Sequence, residues 1–499
     1  MEIATKEFLA SIEKLAQEKK ESIRNSNSVY DKNGNIYYVS ENGDDSKDGL
    51  SPKNALKTLE KAGEIGLETG DVILLERGST FRGHLDIKVP GITVSAYGEG
   101  PKPIIIGSPE NGAKAHYWEL VDGSENIYVY YKELSDIGGI VFDEGRIAGI
   151  KRTPHFVDGQ FINSKNQTYS PVSDLSDNYA FFSDVNNTLA NGRPSVHDKE
   201  NNKGKLYLRC DEGNPGKIFN SIEFLVGGSL IRASADNLTV DNVCLLYCGT
   251  HSIGSGSRNG LVVRSTEIGW GGGCIQFYTE TGYPVRFGNG IEIYGGCNGF
   301  VVDNCYIYQI YDAGVTHQYQ FGNPNDPTIK HENVAYTNNL IEYCIYNIEY
   351  FLGQFGHDDQ IMRNILMKDN ILRFAGYGWG SYYARAAHIK GWDHRNISEN
   401  FVIENNIFDR SRSMVIHCGV QDEKDLPVIK NNTYIHFADD SHNLGRYCER
   451  NSTEFCYPPE RMAYTDENIL DVVKDKDAKI YFVTEDHVCP GFWPSGMEK

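Results

Sequence analysis

The chain has 499 residues, 40% of them hydrophobic, and is rich in Gly (51), Tyr (31) and Phe (22). Its formal net charge of −20 argues against nucleic acid or an anionic membrane surface as a partner, because both bind clusters of Lys and Arg. No apolar run approaches the roughly 20 residues of a membrane span, and no signal-peptide pattern opens the sequence. With 11 Cys, an odd number, the sequence predicts free thiols and a cytoplasmic protein, or an extracellular one if a leader was removed.

Residues 1–28 have apolar side chains near helical spacing between Phe8 and Ile23. They predict an amphipathic helix, which we expect to cap the first coil of a β structure and cover its open edge. Short alternating strands broken by Gly and Pro follow. Residues 110–225 are more polar, and we interpret them as an inserted β-rich subdomain or a set of long loops.

Pairs of small polar residues then recur ahead of short β-type runs. The pairs are Asp241-Asn242, Asp303-Asn304, Asn338-Asn339, Asp369-Asn370, Asn405-Asn406 and Asn431-Asn432. Strand, Asn turn and strand, repeated at intervals of a few tens of residues, indicate a parallel β-solenoid. We therefore predict an all-β solenoid catalytic domain over residues 29–436, including the insertion. Residues 437–499 are expected to be an irregular tail that packs on it.

Two segments carry a family resemblance. "IYYVSENGDDSKDGLSPKNALKTLEKA" and "NGIEIYGGCNGFVVDNCYIYQIYDAGVTHQ" resemble right-handed parallel β-helix carbohydrate-active enzymes of the pectate-lyase-like superfamily. The resemblance implies that fold for most of residues 35–436. It leaves the reaction open, because the superfamily contains glycoside hydrolases, polysaccharide lyases and epimerases.

Ionisable residues at a similar phase of successive coils predict a polar column formed by Glu292, His317, Glu349 and His388. Strands in a sheet are about 4.8 Å apart, so two coils would place Glu292 and Glu349 about 9–10 Å apart at the backbone. That spacing suits the acid and base of an inverting glycosidase. Asp312, at the corner of the coil next to Glu349, offers a closer pair that suits a retaining mechanism. The residues predicted to be catalytic are Glu349, Glu292, Asp312 and His317.

A second group of residues is predicted to bind substrate. Trp residues flanked by Gly would expose rings for stacking on sugars, and charged or amide side chains would contact hydroxyls or carboxylates. The group consists of Trp270, Arg286, Gln318, His357, Asp358, Trp379, His388, Lys390 and Trp392.

Three functions remain open on the sequence. The favoured one is a glycoside hydrolase that processes short oligosaccharides, with inversion slightly preferred over retention. The second is a polysaccharide lyase or uronate epimerase with a His or Lys base, and the third is a non-catalytic carbohydrate-binding solenoid. No metal or other cofactor is predicted, since the acidic turn at residues 41–49 only loosely resembles a calcium loop. The oligomeric state is left open.

Overall fold

The computed structural model describes residues 2–185, 203–319, 329–352, 361–380, 386–391, 398–418, 423–445 and 458–484. Three long sheets, each paired almost entirely in parallel, surround one apolar core. Successive coils add one strand to each sheet. The predicted all-β parallel solenoid is confirmed.

We name the sheets by what they carry. The site sheet consists of Leu85–Ile87, Ile231–Ala233, Ile253–Ser255, Ile291–Tyr294, Ala313–Tyr319, Tyr346–Leu352, Ala387–Gly391 and Met414–His417. The helix sheet consists of Glu2–Ile3, Thr80–Arg82, Ile104–Ile106, Cys244–Cys248, Glu267–Gly271, Tyr306–Ile310, Leu340–Glu342, Ile371–Arg373, Ile407–Asp409, Thr433–Phe437 and Lys479–Val483. The back sheet consists of Ile36–Val39, Val72–Glu76, Thr93–Tyr97, Thr239–Asp241, Val262–Arg264, Val301–Asp303, His331–Thr337, Met362–Lys368, Ser398–Glu404 and Val428–Lys430. A short bridge of Arg258–Asn259 with Cys297–Asn298 continues the back sheet.

The polar pairs form the turn from the back sheet to the helix sheet. One residue at each turn has a left-handed backbone, with φ between 54° and 59°. Asn and Asp tolerate this conformation better than other residues with a side chain. The left-handed residues are Asn242, Asn304, Asn338, Asp369, Asn405 and Asn431.

The residue after each turn points into the solenoid, and in four successive coils it is Asn. The Asn339 amide donates to Asn370 Oδ1 at 3.0 Å, Asn370 to Asn406 at 2.9 Å, and Asn406 to Asn432 at 3.1 Å. Asn432 donates in turn to Asp475 at 2.9 Å. This buried Asn ladder satisfies backbone groups where the chain bends, which apolar residues could not do.

The helix Lys6–Arg24 lies elsewhere than predicted. Thr5 caps its N-terminus by accepting a hydrogen bond from Phe8 N at 3.1 Å. Its apolar stripe packs along the outer face of the helix sheet, from Ile435 in a late coil to Tyr306 in a middle one. It therefore does not cap the first coil, and residues Glu2–Ile3 instead extend the helix sheet beside Lys479–Val483.

Ion pairs fix the same helix to the sheet. Lys20 contacts Glu342 at 3.1 Å and Arg24 contacts Glu267 at 2.6 Å. Near the middle of the helix, Glu13 pairs with the fully buried Arg373. A second helix, Leu59–Glu64, joins the main core near the first strands through its buried Leu59 and Ala62.

Residues 110–225 contain a separate five-stranded sheet with its own core. Its strands are Trp118–Leu120, Ile127–Tyr130, Ile150–Lys151, Ala180–Val185 and Gly204–Arg209. The antiparallel strands Ile137–Phe142, Ile147–Ala148 and Ile222–Val226 connect this region to the helix sheet. A small hairpin, His155–Val157 with Gln160–Ile162, and the helix Pro215–Ile218 complete it.

The later residues close the far end of the solenoid. Residues Asp466–Asn468 and Ile469–Val473 form a short helical segment whose Ile469 and Val472 are buried in the main core. Lys479–Val483 then pairs in parallel with Thr433–Phe437. The region predicted to be irregular thus contributes a strand as well as an end cap.

The cysteines in the described part of the chain are free and buried. Cys248 and Cys274, which lie beside glycines, are both fully buried. Among the described residues, no helix is both long enough and apolar enough to cross a membrane.

Candidate active site

The outer face of the site sheet carries a column of polar side chains. The register aligns Glu292 with Thr316, Thr316 with Glu349, Glu349 with Lys390, and Lys390 with His417. Neighbouring residues such as Ile291 and Ile348 point into the core, so the column faces outward. Glu292 and Glu349 are two strands apart, about 9.6 Å at the backbone, as the sequence predicted.

A network of neutral donors holds the Glu292 carboxylate. Oε2 accepts hydrogen bonds from the side-chain amides of Asn289 and Gln318, both at 2.6 Å. Oε1 lies 3.1 Å from His251 Nε2. Because the Asn289 backbone N–H donates to His251 Nδ1 at 3.1 Å, Nδ1 is the acceptor and Nε2 carries the proton. Three donors match an ionised carboxylate, which only accepts hydrogen bonds.

Asp312 lies at the corner just before the strand Ala313–Tyr319. Its backbone N–H donates to Gly288 O at 3.2 Å, and its carbonyl accepts from Tyr346 N at 3.2 Å. Burial raises the pKa of its carboxyl well above the usual range, and the negative charge of Glu349 adds to the effect. The positive charge of Lys390 lowers this pKa, and the negative charge of Glu292 raises it further. Its surroundings therefore favour the protonated form of the Asp312 carboxyl, which lies near a second acidic group.

Lys390 compensates the charge of Glu349. Its Nζ lies 3.5 Å from Glu349 Oε1 and 3.8 Å from the centre of the Tyr346 ring. All three side chains are buried, whereas Asp312 is partly exposed.

His317 and His388 are not part of the column, and the predicted alignment is wrong at both positions. His317 occupies the next register position, aligned with Ile293 and Tyr350, and points into the core. Its Nδ1 lies 2.7 Å from the Tyr336 hydroxyl, and burial holds its pKa well below the usual range.

His388 also turns away from the polar column. Its Nδ1 lies 3.1 Å from Asn347 Nδ2, and its ring packs near Phe408. Burial lowers its pKa to about 3, so the imidazole is neutral. The reason for both errors is local: a strand shows its two faces alternately, and a shift of one residue exchanges them.

Of the three Trp residues predicted to bind substrate, the structure describes Trp270 and Trp379, and both are buried, contrary to the prediction. Trp270 packs against the backbone at Gly145, and Trp379 against Gly139 and Gly273. Trp379 also donates its indole N–H to Gln309 O at 2.8 Å. Glycine here allows a neighbouring backbone to approach the ring, so both rings join the insertion to the solenoid.

Arg286, predicted to bind substrate, instead bridges protein segments. Its guanidinium donates to Gly273 O at 2.7 Å and to Gly138 O at 2.9 Å, and it lies 4.2 Å from the centre of the Tyr311 ring. It belongs to the base of a hairpin, Cys274–Tyr278 with Pro284–Phe287, that stands at the edge of the site sheet.

The other predicted substrate-binding residues divide into two groups. Gln318 and Lys390 lie at the polar column, while His357, Asp358 and Trp392 fall outside the described residues. Sequence reasoning missed His251, Asn289 and His417. His251 and Asn289 stand just before strands, where no repeat marks their phase, so only the three-dimensional contacts bring them to Glu292.

We found no group of three or more His, Cys, Asp or Glu arranged to hold a metal ion in the described parts of the chain. The acidic turn at residues 41–49 uses its carboxylates internally. Asp45 Oδ1 accepts hydrogen bonds from the backbone N–H groups of Lys57 and Thr58, and Asp48 accepts one from Leu50.

Comparison with known proteins finds limited similarity in both sequence and structure. No family model matches the chain. It is 41% identical over 98 residues to lacto-N-biosidase from Bifidobacterium longum subsp. longum, a match that covers 17% of this chain and 6% of that protein. The whole protein's activity therefore cannot be transferred from this relative.

Solved structures resemble the chain at the level of fold. XylC in complex with xylose is 11% identical, with a TM-score of 0.43 over 90% of this chain and 82% of that one. The GH136 lacto-N-biosidase from Eubacterium ramulus is 13% identical, with a TM-score of 0.40 over 95% of this chain and 71% of that one. Others include a pectate lyase, with a TM-score of 0.35, and a polygalacturonase, with a TM-score of 0.31.

Proposed function

We propose that the protein is a glycoside hydrolase whose reaction takes place on the outer face of the site sheet. The observation that carries this proposal is the presence of two nearby carboxyl groups in different surroundings. Asp312 has a raised pKa, and Glu349 beside it is compensated by Lys390. Two carboxyl groups whose surroundings favour opposite protonation states are what acid-assisted cleavage of a glycosidic bond requires.

The surroundings of the two carboxyl groups suggest their roles in the proposed reaction. Asp312 donates its proton to the glycosidic oxygen while a Glu349 carboxylate oxygen attacks the anomeric carbon, which releases the alcohol and forms a glycosyl ester. Water then attacks the same carbon, and the Asp312 carboxylate takes its proton. The ester bond breaks, so that both side chains return to their starting states.

We propose retention of anomeric configuration as the outcome for this pair. Asp312 and Glu349 belong to neighbouring coils, and the charge of Glu349 acts on the Asp312 carboxyl, although the register aligns Thr316 rather than Asp312 with Glu349. Two interacting carboxyl groups are typical of retaining enzymes. Glu292 and Glu349 are two spacings apart and would suit inversion, the outcome slightly preferred from the sequence. Glu292 is the weaker candidate because both of its oxygens already accept hydrogen bonds.

A neutral, short oligosaccharide is the proposed substrate. Three acidic side chains face the site, so a uronic acid would bring another negative charge close to Glu349 and Glu292. The similarity to a lacto-N-biosidase, although it covers only part of the chain, supports including aryl glycosides of lacto-N-biose among the first substrates. The exo mode of action and the cytoplasmic location stay predictions.

The first experiment compares the wild-type protein with Glu349→Gln and Asp312→Asn on aryl glycosides. We expect phenol release by the wild type and a loss of at least about 10²-fold in either variant. Asp312→Asn should retain more activity on leaving groups that need no proton, such as dinitrophenol. Glu332→Gln, on the back sheet, is the matched control and should behave as wild type.

Two further readouts separate the alternatives. The anomer first released, observed by NMR, distinguishes retention through Asp312 and Glu349 from inversion through Glu292 and Glu349. A rise in absorbance near 235 nm with uronate oligosaccharides, unaffected by Glu349→Gln, would contradict the hydrolase and indicate a lyase. The lyase is less favoured because His317 and His388, two of its proposed bases, face away from the column.

A further inference from the structure

One hydroxyl in the polar column has no hydrogen-bond partner among the residues that the structure describes. Thr316 Oγ1 is fully buried, and no described group lies within hydrogen-bonding distance of it. Leaving a buried hydroxyl unpaired costs roughly 1–3 kcal/mol, so most such groups in folded proteins are satisfied. An unpaired one beside a candidate active site indicates a partner that arrives with a ligand.

The position of Thr316 indicates which group of a ligand would bind its hydroxyl. Its neighbours in the register are Glu292 on one side and Glu349 on the other, each one strand spacing away. Val315, the preceding residue, packs in the core, and His317, the following one, contacts Tyr336 there. The Thr316 side chain therefore lies on the outer face, between the two carboxylates.

Glu292 can bind the same ligand group as Thr316. The donors on both of its oxygens fix the carboxylate in place, and a carboxylate has about four acceptor positions, of which three are used. A ligand hydroxyl between the two side chains can accept from Thr316 and donate to Glu292 at once. That combination suits a hydroxyl better than a carboxylate or a phosphate.

We propose that Thr316 is a specificity-determining residue that binds the polar substituent on the sugar carbon next to the anomeric carbon. This inference rests on the proposed function, because it takes Glu349 as the group bonded to the anomeric carbon. The substituent on the adjacent ring carbon is then the nearest hydrogen-bonding group of the sugar to Glu349. The substrate class is a neutral pyranoside with a hydroxyl or acetamido group at that carbon.

The test is Thr316→Val, which removes the hydroxyl and keeps the branched shape and volume. We expect kcat/KM on aryl glycosides to fall about tenfold, the value of one neutral hydrogen bond, while thermal stability stays equal or rises. On the matching 2-deoxy glycoside, wild type and variant should be equally active. Wild-type activity of the variant on the full substrate would overturn the inference.

Thr266→Val is the matched control. Thr266 is also fully buried, but its hydroxyl donates to Arg264 O at 2.9 Å on the side of the solenoid away from the site. This variant should lose stability and keep its activity, the opposite of the pattern expected for Thr316→Val. The contrast separates a role in substrate binding from a general effect of removing a buried hydroxyl.

Calorimetry with free monosaccharides separates this inference from the proposed function. If the wild type hydrolyses no glycoside, the hydrolase proposal fails, yet a sugar that binds the wild type about tenfold more tightly than Thr316→Val would still support the subsite. Equal affinity for wild type and variant, or no binding of 2-hydroxy and 2-acetamido sugars to either, would overturn it.

Discussion

The buried Asn ladder allows a sharp prediction about stability. Asn370→Ala removes a side chain that takes part in four hydrogen bonds. Its Oδ1 accepts from the backbone and side-chain N–H groups of Asn339, both at 3.0 Å, and its Nδ2 donates to Tyr336 O at 2.8 Å and to Asn406 Oδ1 at 2.9 Å. Water cannot replace these bonds, because Asn370 is almost fully buried.

At about 1 kcal/mol of net stability for each hydrogen bond, the variant should lose about 4 kcal/mol in free energy of unfolding. A loss of this size is comparable with much of the stability of an ordinary domain. Urea unfolding followed by far-UV circular dichroism measures it. The midpoint should fall, and the variant should express in smaller amount.

A second, exposed Asn ladder provides the control. Asn364 donates to Asn333 at 3.0 Å and accepts from Asn400 at 2.9 Å, but water is available to all three. Its φ is 56°, so Gly rather than Ala is the substitution that avoids backbone strain. Asn364→Gly should cost less than about 1 kcal/mol. Equal losses for the two variants would refute the claim that burial makes the inner ladder stabilising.

Three other predictions follow from the charged and titratable groups. Burial lowers the pKa of His331 to about 4 and of His388 to about 3, so unfolding exposes imidazoles that bind protons below about pH 6.5. The free energy of unfolding should therefore decrease as the pH is lowered, by about 2 kcal/mol per histidine between pH 7 and 5. Urea unfolding measures this in an Asp312→Asn background, because the raised pKa of Asp312 acts in the opposite direction. Lys390→Met removes a positive charge that lowers the pKa of Asp312, so the alkaline limb of the pH–rate profile should move to higher pH. An unchanged alkaline limb would exclude Asp312 as the group that produces that limb. Arg24→Ala leaves the buried Glu267 without its ion pair and should lower the free energy of unfolding by about 1–3 kcal/mol. As a control, Lys14→Ala at an exposed position should lower it by less than about 0.5 kcal/mol. Equal melting temperatures of the two variants would contradict docking of the helix by the Arg24–Glu267 pair.

The coils were predictable because their turns have a chemical requirement. A left-handed residue followed by a buried amide selects Asn at both positions, as in Asn338-Asn339 and Asn405-Asn406. The position of the pair relative to the turn varies between coils. In Asp303-Asn304 the left-handed residue is the second of the pair, and Cys305 occupies the position that Asn has in the buried Asn ladder. The register shows this by aligning Asp303 with Thr337.

The candidate site was only partly predictable for the same reason. Glu292 and Glu349 lie in strands where alternation with Ile reveals the outer face, and their separation followed from counting coils. His317 lies in "AGVTHQ", which lacks a clear alternation, so the sequence could not show that it faces Tyr336 in the core. Trp270 and Trp379 were misjudged because their packing partners belong to the insertion, which the sequence does not position.

The docking of residues 2–24 has a consequence for synthesis. Glu2 pairs with Tyr481, and the helix that follows covers coils formed by residues 306–437. At roughly 5–20 residues per second, the ribosome makes the partner strand about 25–100 s after the helix. Leu9 and Ile12 pack with Ile435 and Val483, which are made late in that interval, whereas the partners of Ile23 include Tyr306 and are made earlier. A nascent chain of this protein therefore presents an amphipathic segment to chaperones before its docking surface is complete.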